Sequence, residues 1–114
     1  MSIKLLTPNQ HDELLNLYRL FPELTLENKG YEGINRCDFT QEAKDADKKV
    51  NSILKNSISG FSSFQNFCHS KAGEICLRFQ YNYSYDTNDL PFTGVGYILL
   101  DELLNGFSDK TQKS

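Results

Sequence analysis

Apolar and polar residues alternate along this chain with two different periods, and the change from one period to the other separates helices from strands. In "TPNQHDELLNLYRLF", His11, Leu14, Leu15, Tyr18 and Phe21 recur three and four residues apart, the spacing of one helix face. Thr7 is placed to cap this helix, Pro8 suits its first position, and Gln10 stands three residues after Thr7 as in a capping box. Pro22 stops it, because proline cannot continue the ladder of helical hydrogen bonds. A second helical pattern runs through "TQEAKDADKKVNSILKNSI", with Ala43, Ala46, Val50, Ile53, Leu54 and Ser57 on one face and Lys44, Asp45, Lys48 and Lys55 away from it. Thr40 or Asp38 is the expected cap, and Gly60 closes the segment. The interleaved charges read as a solvated helix face.

After Gly60 the period shortens. In "GFSSFQNFCHS", Phe61, Phe64 and Phe67 lie three apart, which fits a helix or a bulged strand. A strand is preferred, because Phe, Cys and Ser are weak helix formers and Gly60 and Gly73 bracket the run. "KAGE" reads as a hairpin turn, with Gly73 supplying the positive φ that such turns need. "EICLRFQYNYSYD" alternates strictly through Leu77, Phe79, Tyr81, Tyr83 and Tyr85, and is the clearest strand of the chain. "TNDLP" is a loop and "FTGVGYILL" the next strand. "DELLNGF" is a short helix, with Asp101 the expected cap and Gly106 its close. Between the two long helices, "PELTLENKGYEGINRCDF" is irregular. A short strand is expected near Leu24 to Glu27, with Tyr31 and Ile34 docking on the core.

These elements predict one α+β domain over residues 1–107, in the order α-α-β-β-β-α, with a polar tail at 108–114. Two helices pack on one face of an antiparallel sheet of three to four strands, and a short helix ends the domain. A hairpin across "DTNDLP" has a simple register with Tyr85 opposite Phe92, Tyr83 opposite Gly94, Tyr81 opposite Gly96, Phe79 opposite Ile98 and Leu77 opposite Leu100. Glycines opposite tyrosines leave room for rings to lie across the neighbouring strand. The aliphatic end of this face is core. For the tyrosine end two readings stay open. Either Tyr81 and Tyr83 finish the core, or Tyr83, Tyr85 and Phe92, with Asp86 and Asp89 of the loop, form a contact surface. Arg78, Gln80, Asn82, Thr93, Val95 and Tyr97 mark the other face as a second candidate surface.

Charge sharpens this picture more than composition does. The 114 residues are 39% hydrophobic and 24% charged, an ordinary globular balance. The net charge of −3 is unevenly spread. Residues 1–78 carry ten acids and ten Lys or Arg, whereas residues 79–109 carry five acids and no Lys or Arg. Nucleic acid is an unfavourable partner for such a face, because phosphates need cations. A basic protein is its complement. No apolar run reaches the length of a membrane span and no secretory leader opens the chain, so a cytoplasmic protein is expected.

Candidate chemistry is sparse. Three cysteines, Cys37, Cys68 and Cys76, are an odd number without paired spacing and read as reduced, mostly buried thiols. Cys68 and His69, as strand neighbours, point to opposite faces and cannot act as nucleophile and base. No C-x-x-C pair suggests zinc, "DTNDLPF" lacks the glycine and glutamate of a calcium loop, and "GVG" at 94–96 lies inside a strand rather than before a helix. No cofactor is implied. The expected function is therefore a non-enzymatic protein-binding domain, an acidic inhibitor of the immunity or antitoxin kind, binding through Tyr83, Tyr85, Asp86, Asp89 and Phe92. One alternative is a small-molecule site walled by Tyr18, Phe64, Tyr81 and Tyr83. Another is a structural homo-oligomer joined through the final strand.

Overall fold

The computed structural model describes residues 3–25, 36–83 and 92–106. The element order is α1 (Pro8–Leu20), α2 (Gln41–Ser57), β1 (Phe61–His69), β2 (Ile75–Tyr83), β3 (Phe92–Leu99) and α3 (Leu100–Asn105). It is an α+β fold with a three-stranded antiparallel sheet in the order β1-β2-β3. The docking of Tyr31 and Ile34, the "TNDLP" loop and the tail at 108–114 lie outside the described residues.

Local chemistry sets the helix ends as expected. The Thr7 hydroxyl accepts from the Gln10 amide and the Gln10 side chain accepts from the Thr7 amide, closing the capping box. Thr40, rather than Asp38, caps α2 by accepting from the Ala43 amide. All six residues of the predicted α2 face are buried. In α1 the buried residues are Leu14 and Leu17, so its apolar stripe extends beyond the predicted one to Leu17. Of the strand expected near Leu24 to Glu27, Leu24 instead ends a one-turn 3-10 helix, Pro22–Leu24, and Thr25 makes a single parallel bridge to Phe67, while Leu26 and Glu27 lie outside the described residues. The proline that ends α1 also starts this turn, leaving one residue to reach β1. At α3 the cap differs. The Glu102 carboxylate accepts from the Leu99 amide, and Asp101 instead reaches His11 at 3.0 Å.

Two bulges in β1 explain the threefold spacing of its phenylalanines. The register slips between Phe61 and Ser63 and again between Phe64 and Asn66. Each extra residue returns the next phenylalanine to the helix-facing side, so Phe61, Phe64 and Phe67 oppose Tyr81, Phe79 and Leu77. The turn into β2 has Gly73 at φ 84°. The Gly73 amide donates to the Ser70 carbonyl and the Ser70 amide to that of Glu74.

The β2–β3 register is shifted by two residues from the simple one. Tyr81 opposes Gly94, Phe79 opposes Gly96, Leu77 opposes Ile98 and Tyr83 opposes Phe92. A two-residue slip keeps every side chain on its face, so the glycine contacts survive with different rings. A Cβ on Gly96 would lie 2.8 Å from Phe79 Cζ, and one on Gly94 would lie 2.8 Å from Tyr81 Cζ. The rings thus occupy the space that side chains on β3 would need. Leu14, Leu24, Val50 and Leu54 of the helical layer close over Phe64, Phe67, Leu77, Phe79 and Ile98 to form one core.

Candidate functional site

The helices cover one face of the sheet. The other carries Ser63, Asn66 and Cys68 of β1, Cys76, Arg78 and Gln80 of β2, and Thr93, Val95 and Tyr97 of β3. Its burial is graded. Asn66, Cys68 and Cys76 are buried, whereas Val95 is 44% and Tyr97 52% exposed. The polar residues of the β1–β2 half satisfy one another in part: Ser63 Oγ donates to Gln80 Oε1 at 3.2 Å. Asn66 and Arg78 stand opposite each other, yet Asn66 Oδ1 and Arg78 Nε are buried without a hydrogen-bond partner. The β3 half is therefore the open part of this face among the described residues, and it borders the strand ends from which residues 84–91 depart.

Tyr83 and Phe92 pair at that end of the hairpin. Tyr85, Asp86 and Asp89 lie outside the described residues. Of the tyrosines in the alternation from Leu77 to Tyr85, Tyr81 is half-buried against the core and its ring sits 6.1 Å from that of Phe79. Of the alternative ligand wall, Tyr18 and Phe64 both pack against Phe67. Tyr18 shares a 2.6 Å hydrogen bond with His69 and packs edge-on to Phe67 at 5.4 Å. Phe64 is buried in the core beside Phe67, while Tyr81 belongs to the far end, opposite Phe61. A different cavity, of about 310 Å³, opens beside Cys68, Lys71, Cys76 and Tyr97.

Cys68 and Cys76 face each other across β1 and β2 on the side opposite the helices, while His69 turns to Tyr18. The neighbouring strand positions thus separate the thiol of Cys68 from the ring of His69. A hydrogen bond with the Cys68 thiol, and then burial, push the Cys76 thiol far above its ordinary range. Cys37, by contrast, is exposed. In the native protein at neutral pH, iodoacetamide is expected to label Cys37 rapidly and Cys68 and Cys76 only on unfolding. Peptide mass spectrometry of a time course checks this, and fast native labelling of Cys76 would contradict the packing described.

Sequence reasoning missed a polar clasp on the outer edge of β1. Arg36 grips Asp47 through two bonds of 3.1 Å and donates to the carbonyls of Phe64 and Gln65 at 3.0 and 2.6 Å. Asn51 Oδ1 accepts from the Phe64 amide. These groups satisfy backbone atoms at the second bulge. Among the described residues, no group of three or more His, Cys, Asp or Glu side chains is placed to hold a metal ion, and no helix is long and apolar enough to cross a membrane. Comparison with protein-family models, curated proteins and solved structures finds no match to this chain.

Proposed function

We propose that this chain is a non-enzymatic protein-binding domain, an acidic inhibitor of the immunity or antitoxin kind that masks a basic partner in the cytoplasm. The binding surface in this reading is the tyrosine-rich acidic segment, Tyr83, Tyr85, Asp86, Asp89 and Phe92, with the open β3 half of the sheet beside it. The observation that supports it is the open β3 half of the second face: among the described residues, that face is closed at Asn66, Cys68 and Cys76 but exposes Val95 and Tyr97 on the strand that follows the segment. The charge pattern sets the chemistry of the partner, since residues 79–109 hold five acids and no Lys or Arg. Large rings with polar tips beside carboxylates suit a basic surface that also offers aliphatic stems.

The test is retention on the immobilised chain and release by salt. A basic protein from the native host's lysate is expected to bind at low ionic strength. It should elute as salt rises toward about 1 M, where the screening length falls to about 3 Å. Retention of only acidic or neutral proteins, indifferent to salt, would overturn the reading.

A further inference from the structure

The two edges of the sheet are treated differently. The outer edge of β1 is bulged twice, bridged by Thr25, and capped by Arg36 and Asn51. These are devices that stop a strand from pairing further. Among the described residues, the outer edge of β3 shows none of them. Residues 92–99 contain no charge, no proline and no register shift.

Which β3 groups face outward follows from the hydrogen bonds. The Asn82 amide donates to Gly60, so the backbone polar groups of Asn82 turn toward β1. In an antiparallel ladder these directions alternate. Tyr81, Phe79 and Leu77 therefore bond to Gly94, Gly96 and Ile98. The amides and carbonyls of Thr93, Val95 and Tyr97 then point away from the sheet. The next outward amide, that of Leu99, is taken by Glu102, which ends the edge at Tyr97. Among the described residues, no hydrogen bond reaches the outward groups of Thr93, Val95 or Tyr97.

We propose that the chain pairs with a second copy of itself along this edge, β3 against β3 and antiparallel, about a two-fold axis at Val95, so that two three-stranded sheets become one. The occupant is argued from self-complementarity. An antiparallel two-fold places each outward donor of one copy against an outward acceptor of the other, for about six inter-chain bonds. This register sets Val95 on Val95 and Tyr97 on Thr93. Those are β-branched and aromatic–β-branched pairs of the kind that stabilise neighbouring strands. The strand carries no charge to repel its twin. The rest of the chain is acidic, so two copies repel weakly at long range. Pairing therefore holds or strengthens as salt rises, whereas a complex with a basic partner weakens. That opposite dependence separates this inference from the reading under Proposed function, on which it does not rest.

Sedimentation velocity of the full chain, from micromolar to near-millimolar concentration and at low and high salt, is the test. The wild type is expected to shift from one to two chain masses with concentration. Val95→Pro removes an outward amide and spares the bonds to β2. Val95→Lys places a charge on the seam. Each is expected to remain monomeric with an unchanged circular dichroism spectrum. Should the proline variant fail to fold, the lysine variant carries the comparison. Amide hydrogen exchange in the wild type adds an independent readout, with Thr93, Val95 and Tyr97 slowing as concentration rises. A wild type that stays monomeric throughout overturns the proposal, and so does a dimer that a folded Val95→Lys or Val95→Pro forms equally well.

Discussion

Phe79→Ala is expected to destabilise the domain by about 3–5 kcal/mol, the usual cost of removing a fully buried ring. Phe79 has no exposed surface, lies within about 6 Å of the Phe61 and Tyr81 rings, and rests on Gly96. Its central strand holds both sheet neighbours in register, so the resulting cavity does not lie at an edge that can collapse. Domains of this size carry about 5–15 kcal/mol in total, so the variant approaches global unfolding. Urea denaturation followed by circular dichroism measures the loss, and a cost below about 1 kcal/mol would show that the ring is not packed as described. Gly96→Ala probes the same contact from the other side. Its Cβ would lie 2.8 Å from Phe79 Cζ, so the alanine is expected to cost about 1–3 kcal/mol. In the Phe79→Ala background the clash is gone and the penalty should largely vanish. Such non-additivity identifies direct contact.

Arg36→Ala carries the second large effect, expected at about 2–3 kcal/mol. One guanidinium holds Asp47 in a two-bond grip and satisfies the carbonyls of Phe64 and Gln65 where β1 bulges. Removing it leaves a mostly buried carboxylate and two backbone acceptors short of partners. The side chain is one-third exposed, so solvent screens part of the charge interaction and the full penalty of a buried pair is not reached. Arg36→Lys keeps the charge and loses the planar fork, so it should recover less than half of the loss. Thermal melts of the three proteins decide the matter. Equal stability of Arg36→Ala and wild type would mean that the clasp is ornamental.

The contrast between Phe79 and Arg36 shows what was legible in the sequence. Residues whose role follows from period were readable. The six buried positions of α2, the bulged strand carrying Phe61, Phe64 and Phe67, and the turn at Gly73 all follow from local spacing and local backbone preference. The β2–β3 register was legible only to its parity. Alternation dictates which face a side chain occupies, but a slip of two residues leaves the faces unchanged, and ring-over-glycine contacts form in either register. The packed register places Phe79 over Gly96 and Tyr81 over Gly94. The clasp was not legible, because Arg36 meets Asp47, Phe64 and Gln65 across 11 to 29 residues and Asn51 meets the Phe64 amide across 13, contacts that depend on the path of β1. The cap at α3 departs from local expectation for a related reason. Asp101 is drawn to His11 on α1, and Glu102 reaches back to the Leu99 amide. Of the candidate binding residues, Tyr83 and Phe92 fall into one cross-strand pair, while Tyr85, Asp86 and Asp89 lie outside the described residues. That β3 is an edge follows from the strand order, but which of its backbone groups face outward emerges only from the hydrogen-bond directions.

The most direct measurement of the binding claim compares the wild type with a folded Tyr83→Ala, Tyr85→Ala, Asp86→Asn, Asp89→Asn variant. Each is immobilised and offered the native host's lysate, and the retained proteins are identified by mass spectrometry. A basic protein retained by the wild type and lost by the variant is the predicted result. Retention of the same proteins by both, or of none by either, would contradict a binding surface at the tyrosine end of the sheet.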